Sequence, residues 1–297
     1  MTTILEKTAG LVAFVRTVDA GSFSEASRAI GSTPSAVSKS VARLERRLGA
    51  RLLQRSTRTL GLTSEGAAYY ERVAPLLRAI EEAEDVVQQA GSASGLLRVT
   101  APHDLGRSLI AKWVRDFVDQ NPAVKVELSL NERNVNLVRE GYDLALRMRD
   151  LADSDLVSRK LADMRIVIAA SPDYVVRRGQ PQTREDLHDH ACLRYLLNGR
   201  PFPFTFADGT SMTPNGPFDS DDGGAIRQAV LGGIGIGYLL RFTVAEELAT
   251  GTLLQLLPAF ELPTLPLFVV HAYGRQLPVR VRLFIDFLMQ QMIKTDI

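Results

Sequence analysis

The chain has 297 residues, 45% hydrophobic and 23% charged, with 35 Lys and Arg against 34 Asp and Glu. That length predicts two or three domains, and the composition excludes collagenous, low-complexity and wholly disordered chains. No apolar run reaches the roughly 18–20 residues of a membrane span, the N-terminus carries no apolar signal core, and the single cysteine, Cys192, excludes an internal disulfide and a thiolate zinc cluster, so a soluble cytoplasmic protein is the expectation.

The near-neutral total hides an asymmetry. Residues 1–64 hold ten Lys and Arg against four acids, whereas residues 65–90 hold six acids against Arg72 and Arg78. A basic N-terminal unit on a near-neutral body points to a polyanion partner for that unit alone.

Leu11, Phe14, Val15 and Val18 recur on one face of a helix that Gly21 and Ser22 end. Ser24 to Ile30 reads as a short second helix closed by Gly31. Thr33 then caps a third, with Pro34 at its first position and Gly49 after its end at Leu48. Val37, Val41, Leu44 and Leu48 form its expected buried stripe, and Ser35, Ser38, Lys39, Arg43 and Arg46 its opposite face. Two short helices joined tightly, the second displaying small polar and basic residues, predict a helix-turn-helix. Two β-like pieces around Arg55-Ser56-Thr57-Arg58 predict a basic wing.

Thr63 can cap the next helix, with Glu65 in its first turn. Tyr69, Val73, Leu76, Ile80, Ala83, Val87 and Ala90 follow in heptad spacing and predict a coiled-coil linker that pairs two chains; the alternative is a helix lying on its own body. Pro75 implies a bend. Gly91-Ser92-Ala93-Ser94-Gly95 reads as a flexible hinge.

From Leu96 the pattern alternates strand and helix. Strands are expected at Leu97–Ala101, Val124–Leu130, Asp143–Met148, Arg165–Ala170, Cys192–Tyr195, Ile234–Tyr238 and Leu267–Tyr273. Helices are expected at about Leu105–Gln120, Asn134–Glu140 and Val279–Met292. This predicts α/β with largely parallel sheets.

Residues 9–66 closely resemble the N-terminal domain of LysR-type transcriptional regulators. The resemblance rests on Phe14, Gly21-Ser22-Phe23-Ser24, Ala26, Thr33-Pro34-Ser35-Ala36-Val37-Ser38, Leu44-Glu45, Leu48-Gly49, Leu52, Arg55, Leu62-Thr63 and Gly66. In the body, Leu97-Arg98-Val99-Thr100-Ala101-Pro102, Asn121-Pro122, Gly141-Tyr142-Asp143-Leu144-Ala145-Leu146-Arg147 and Ala170-Ser171-Pro172 look like that family's effector domain. The resemblance implies an α/β multidomain chain. Its parts would be a winged helix-turn-helix (1–64), a linker dimerisation helix (65–91) and an effector domain (92–297). The last would comprise two Rossmann-like subdomains of the type II periplasmic-binding-protein kind, about 95–164 with 267–297 and about 165–266, with a ligand cleft between them. It further implies a homodimer through the linker helix, a homotetramer built from two dimers, an imperfect inverted-repeat site in double-stranded DNA, and RNA polymerase as a partner to consider.

Carried over residue by residue, Thr33, Pro34, Ser35, Ser38 and Lys39 would enter the major groove, with Ser22, Arg43, Arg55, Thr57 and Arg58 around the backbone or minor groove. Arg43 and Arg46 read equally as phosphate contacts or as solvated charges. Pro34 stands where many relatives carry glutamine, so an adenine contact from that amide is absent. Ligands of open α/β sheets gather beyond the carboxyl ends of parallel strands. That rule selects Pro102, His103, Asp104, Ser129 and Arg147, with Ser171, Ser220 and Ile236 from the second subdomain. The resemblance implies small, often anionic metabolites there. Arg147 could pair with a carboxylate or serve as a structural ion-pair partner. Asp104 at a helix start works against an anion, and a ligand bearing a hydroxyl or amine beside its carboxylate would reconcile the two.

Other constellations carry less. His188 and His190 have no third metal ligand at suitable spacing, and no metal or cofactor is expected. Gly232-Gly233-Ile234-Gly235-Ile236-Gly237 follows a helix and contains a strand, the reverse of a dinucleotide fingerprint, and reads as a helix end running into a close-packed strand. Cys192 reads as a core residue. No catalytic constellation emerges, so the chain is read as a ligand-responsive DNA-binding regulator rather than an enzyme. A pure solute binder is the competing class, and the basic N-terminal unit speaks against it.

Overall fold

The computed structural model describes residues 4–55, 60–87, 93–133, 135–148, 156–273 and 277–295. Contacts divide the chain into two units, Met1–Ala90 with Val135–Gly141, and Gly91–Asn134 with Tyr142–Ile297.

The first unit begins with α1 (Ile4–Ala20), α2 (Phe23–Ala29) and α3 (Pro34–Leu48). Local chemistry sets each boundary. The Ser22 hydroxyl accepts the Glu25 N–H at 3.1 Å and the Thr33 hydroxyl accepts the Ala36 N–H at 3.3 Å, each capping a helix start. Gly49 takes φ +66° at the end of α3, the left-handed turn that suits a residue without Cβ. Phe14, Ala26, Val37, Val41, Leu44 and Leu52 pack into one core. Leu48, expected in that stripe, is instead 40% exposed, because the helix ends there and Gly49 turns the chain away.

The strands β1 (Leu53–Arg55) and β2 (Leu60–Leu62) pair antiparallel, Leu53 opposite Leu62. Thr57 and Arg58 lie outside the described residues. The helix α4 (Ser64–Val87) runs through Pro75. Thr63 joins it to the wing: its hydroxyl donates to the Arg51 carbonyl at 2.6 Å and accepts the Gly66 N–H at 2.9 Å. A Cβ on Gly66 would lie 1.9 Å from the Leu52 carbonyl oxygen, so only glycine lets the helix approach so closely. Ala74 and Leu77 are buried in the first unit's core, with Tyr69 and Val73 packed against it. Leu76 and Ile80 are 64% and 57% exposed. The single expected seam therefore divides, its start lying on the chain's own core and its middle open. Ala90 and the Gly91-Ser92 part of the hinge lie outside the described residues.

Next come β3 (Gly95–Ala101), α5 (His103–Leu105), a π-helical turn (Gly106–Ile110), α6 (Ala111–Gln120), β4 (Val124–Leu130), α7 (Leu137–Glu140), β5 (Leu144–Met148) and β6 (Val157–Met164). The chain then passes through β7 (Ile166–Ala170), α8 (Pro172–Arg178), β8 (Cys192–Leu197), β9 (Arg200–Pro201), β10 (Phe204–Thr205), β11 (Ser211–Met212), β12 (Asp219–Ser220), α9 (Gly223–Leu231), β13 (Ile236–Leu240), α10 (Ala245–Thr250) and β14 (Leu254–Gln255). It returns through β15 (Leu265–His271) and ends in α11 (Val279–Lys294).

Two sheets result, β4-β3-β5-β15-β6 and β12-β8-β13-β7-β14. They are mixed rather than largely parallel, which corrects the expectation. In the first, β4, β3 and β5 are parallel and β15 runs antiparallel to both β5 and β6. In the second, β12, β8 and β13 are parallel, and β7 is antiparallel to β13 and β14. Each half receives antiparallel strands when the chain crosses between the sheets, at β6–β7 and β14–β15. Leu97, Val99, Leu144 and Leu146 turn the first sheet's core face toward Trp113, Phe117, Phe284 and Leu288. The second sheet is buried on both faces, by a cluster containing Tyr174, Cys192, Phe204 and Ile236 and by one containing Ile226, Val230 and Leu253.

Candidate nucleic-acid interface and effector cleft

Residues Gly31 to Ala36 are all exposed, so the turn into α3 and its first turn face outward. Val37 is buried, Ser38 half-buried, and Lys39, Ala42, Arg43 and Arg46 exposed. Ser35, Lys39, Ala42 and Arg46 thus line one stripe at helical spacing. Ala42, outside the face expected from the sequence, adds a small exposed side chain to this stripe beside Lys39. The hydroxyls of Ser22 and Thr33 serve as caps, each accepting a backbone N–H and retaining an O–H donor. Arg43 lends a guanidinium N–H to Ser40 at 3.2 Å and stays at the surface. Arg55 ends β1 opposite Leu60. Glu45, on the inner side of α3, accepts the Leu52 and Leu53 N–H groups at 2.8 and 3.1 Å and ties this helix to the wing.

In the second unit, the parallel strands β3, β4 and β5 end at one edge of the first sheet, which brings Pro102, His103, Asp104, Ser129 and Arg147 together. Ser129 lies opposite Thr100, and Thr100 opposite Ala145, two residues before Arg147. Arg147 is 7% exposed. Pro102 precedes α5, the His103 N–H donates to Glu132 Oε1 at 2.8 Å, and His103 Nδ1 stands 3.6 Å from the same oxygen.

Beyond Ser220 the second sheet offers α9. Asp222 caps that helix by accepting the Ala225 N–H at 2.9 Å, and the Ser220 hydroxyl accepts the Asp222 N–H at 3.1 Å. Arg107 reaches across to Asp222 at 3.3 Å. A Cβ on Gly223 would fall 1.9 Å from Asp104 Oδ2, so the Asp104 carboxylate rests directly on that glycine. Burial, then Glu132 and Asp222, push the Asp104 carboxyl up from 3.8 to about 6 against the pull of Arg107 and His103. Asp222 is pushed up by burial, but its bond from Ala225 and the Arg107 charge outweigh this and hold it low. Burial, with Glu132 and Asp104 near, raises the Tyr195 phenol.

Ser171 and Ile236 are not brought to this place. Ile236 pairs with Cys192 where β8 and β13 begin, while Ser220 pairs with Tyr195 toward the end of β8. Ser171 follows the antiparallel β7, so the end of that strand meets the start of β13. Its hydroxyl accepts the Tyr174 N–H at 3.2 Å and caps α8, and Ile236 is fully buried. Ser171 lies at the other edge because β7 is antiparallel, and Ile236 because it begins β13 instead of ending it.

Residues 9–67 match the bacterial regulatory helix-turn-helix protein, lysR family, and residues 90–293 match the LysR substrate binding domain. The chain belongs to the LysR family of transcriptional regulators. An HTH-type transcriptional regulator of Xanthomonas campestris pv. campestris is 37% identical, over 94% of this chain and 83% of that protein. CrgA of Neisseria meningitidis serogroup C is 34% identical over 95% and 96%. The solved structure of CrgA from Neisseria meningitidis aligns with a TM-score of 0.64 at 33% identity, covering 98% of this chain and 99% of that one. The Vibrio cholerae virulence activator AphB aligns at 0.62 and 27%, covering 95% and 98%.

Within this LysR-family chain His190, the glycine run and Cys192 have structural surroundings. His190 Nδ1 lies 3.1 Å from the Tyr174 hydroxyl, which also accepts the Ala191 N–H. The glycine run closes α9 at Gly232, turns at Gly233 with φ +71°, and enters β13. There a Cβ on Gly235 would meet the Ala191 carbonyl oxygen at 2.3 Å. Cys192 is fully buried, its Sγ donates to the Leu187 carbonyl at 3.5 Å, and burial pushes its thiol up to about 12. The sequence reading missed Arg107, Glu132, Tyr195, Asp222 and Gly223. The signal for the last two was present: an Asp cap ahead of Ile226, Ala229 and Val230, obscured by two helix-poor glycines.

Proposed function

We propose that this regulator binds an imperfect inverted repeat in promoter DNA as a homodimer joined through α4, assembles as a dimer of dimers, and changes its output when a small molecule binds between the two effector subdomains. The observation that carries the DNA reading is the exposed start of α3, with hydroxyls and Lys39 presented from a unit in which basic residues outnumber acidic ones ten to four. Pro34, Ser35, Ser38 and Lys39 read the groove, and Ser22, Thr33, Arg43, Arg55, Thr57 and Arg58 hold the backbone. The working division is 1–64 for DNA, 65–91 for pairing and 92–297 for the effector. The effector is a small molecule with a donor group beside a carboxylate: Arg147 supplies buried positive charge at the strand ends, and Asp104 accepts the donor. Pro102, His103, Ser129 and Ser220 complete the lining. The chain works in the cytoplasm without catalysing a reaction, and among the described residues no helix is long and apolar enough to cross a membrane.

Gel-shift titrations against the chain's own upstream DNA and random DNA test this reading. Ser38→Ala and Lys39→Ala weaken specific binding more than random binding, whereas Arg55→Ala lowers both alike, because a phosphate contact carries no direct sequence information. Affinity falls steeply with salt. Equal losses on both DNAs for all three variants would remove the recognition helix from the account.

A further inference from the structure

Charged groups of the two subdomains meet around α5 and the start of α9, where Glu132 also bonds to the Tyr195 hydroxyl. Arg107, just after α5, meets Asp222 at 3.3 Å. One turn earlier, Asp104 sits on the bare Cα of Gly223, its Oδ2 1.9 Å from where a Cβ would stand. We propose that these two contacts form a latch that sets how far the effector subdomains open: the Arg107–Asp222 pair is its attractive half, and Asp104, wedged on Gly223 beside Glu132 and Asp222, is its repulsive half.

The charges around Asp104 decide the sign. From its own segment it faces His103 and Arg107, from the turn after β4 Glu132, from the approach to α9 Asp222, and close by stand Tyr195 and Asp221. Closing the subdomains moves the Asp104 carboxylate, already near Glu132 of its own subdomain, out of water and beside Asp222, so closure takes up a proton. Its value of about 6 in the closed arrangement against an ordinary 3.8 makes closure most favourable in acid. That advantage is lost as pH rises through about 6, which weakens the closing equilibrium about tenfold between pH 5 and pH 7.5. Above that range the Arg107–Asp222 pair, with the Tyr195–Glu132 hydrogen bond beside it, holds the latch. A molecule presenting a donor group to Asp104 would do the work of the proton, which links occupancy of the cleft to closure.

The inference rests on reading the space between the subdomains as the effector site, but its test needs no effector. Spin labels on Arg115→Cys of α6 and Glu246→Cys of α10, both at exposed positions, report the distance between subdomains in the full chain; Cys192 is buried and stays unlabelled. The ratio of the long to the short distance rises about tenfold from pH 5 to pH 7.5. Asp104→Asn holds the short distance at both pH values. Arg107→Gln shifts the balance to the long distance and keeps the pH response. Gly223→Ala gives the long distance throughout, and adding Asp104→Ala to it restores the short one. A wild-type distribution unchanged between the two pH values, a pH response surviving in Asp104→Asn, or a Gly223→Ala chain that stays short would each overturn the latch. None of these outcomes bears on whether the cleft holds the effector, which the inducer response of cleft variants decides separately.

Discussion

The Glu45 carboxylate, on α3, accepts the Leu52 backbone N–H at 2.8 Å. A second bond, from Leu53 at 3.1 Å, fixes the base of the wing to the same side chain. With strands of only three residues each, these two bonds are a direct tie between α3 and the base of the wing. Glu45→Ala leaves two part-buried N–H groups without an acceptor and costs about 1–3 kcal/mol. Glu45→Gln, which retains one acceptor oxygen, costs less. Thermal unfolding of the full chain reads the stability, and a gel shift reads the loss of DNA affinity that accompanies a misaimed wing.

Ile80 stands 57% exposed on α4, four residues after the exposed Leu76. Burying the part of each that is still exposed against a second copy would recover about 1–2 kcal/mol for each side chain. Ile80→Asp therefore lowers dimerisation, measured by sedimentation, and DNA affinity falls with it. An Ile80→Asp chain that remains a dimer of unchanged affinity would mean that pairing lies elsewhere.

Ser171 and His103 separate stability from response. Ser171→Ala removes the cap of α8 and costs about 1 kcal/mol, while the transcriptional response to inducer stays as it was. His103→Ala changes that response in a reporter assay and leaves inducer-free DNA binding within a few-fold. The reverse pattern would move the cleft to the other edge of the second sheet.

Cys192 resists alkylation and peroxide in the native chain. Its thiol is fully buried and pushed up to about 12, so almost no thiolate is present at neutral pH. Iodoacetamide labelling followed by mass spectrometry should find it unmodified without denaturant, and peroxide treatment should leave DNA binding intact. Rapid native labelling would contradict this placement.

What the sequence revealed followed from the range of each interaction. Thr33, Pro34 and Gly49 delimit α3 through bonds within a few residues, and the bounds of β4 were read directly from a run of alternating apolar residues. β6 escaped notice because its first four residues, Val157 to Lys160, are all exposed and carry no alternation. The direction of β7 was illegible for a different reason. Ile166–Ala170 looks the same whichever way it lies, and only its pairing with Leu240 through Gly237 settles the matter. Ser171 was misplaced along with it, and Ile236 because it begins β13 instead of ending it. In α4 the heptad spacing was real, but two partners share it: Tyr69 and Val73 meet the chain's own core, and Leu76 and Ile80 do not.

The π-helical turn at Gly106–Ile110 carries one residue more than an α-helical turn over the same arc. Gly106 lies against Leu130, where a Cβ would come within 2.1 Å of a methyl carbon, so the widened backbone fills space that a side chain would otherwise occupy. The surplus residue is absorbed locally, and Trp113 and Phe117 keep their phase toward the core. The segment is therefore a tolerant point in an otherwise rigid reading frame. Deleting one residue inside it would tighten the turn to ordinary α-helix and leave the aromatic face where it is. The same deletion inside Ala111–Gln120 would swing every later side chain by about 100° and carry Phe117 from the core toward water.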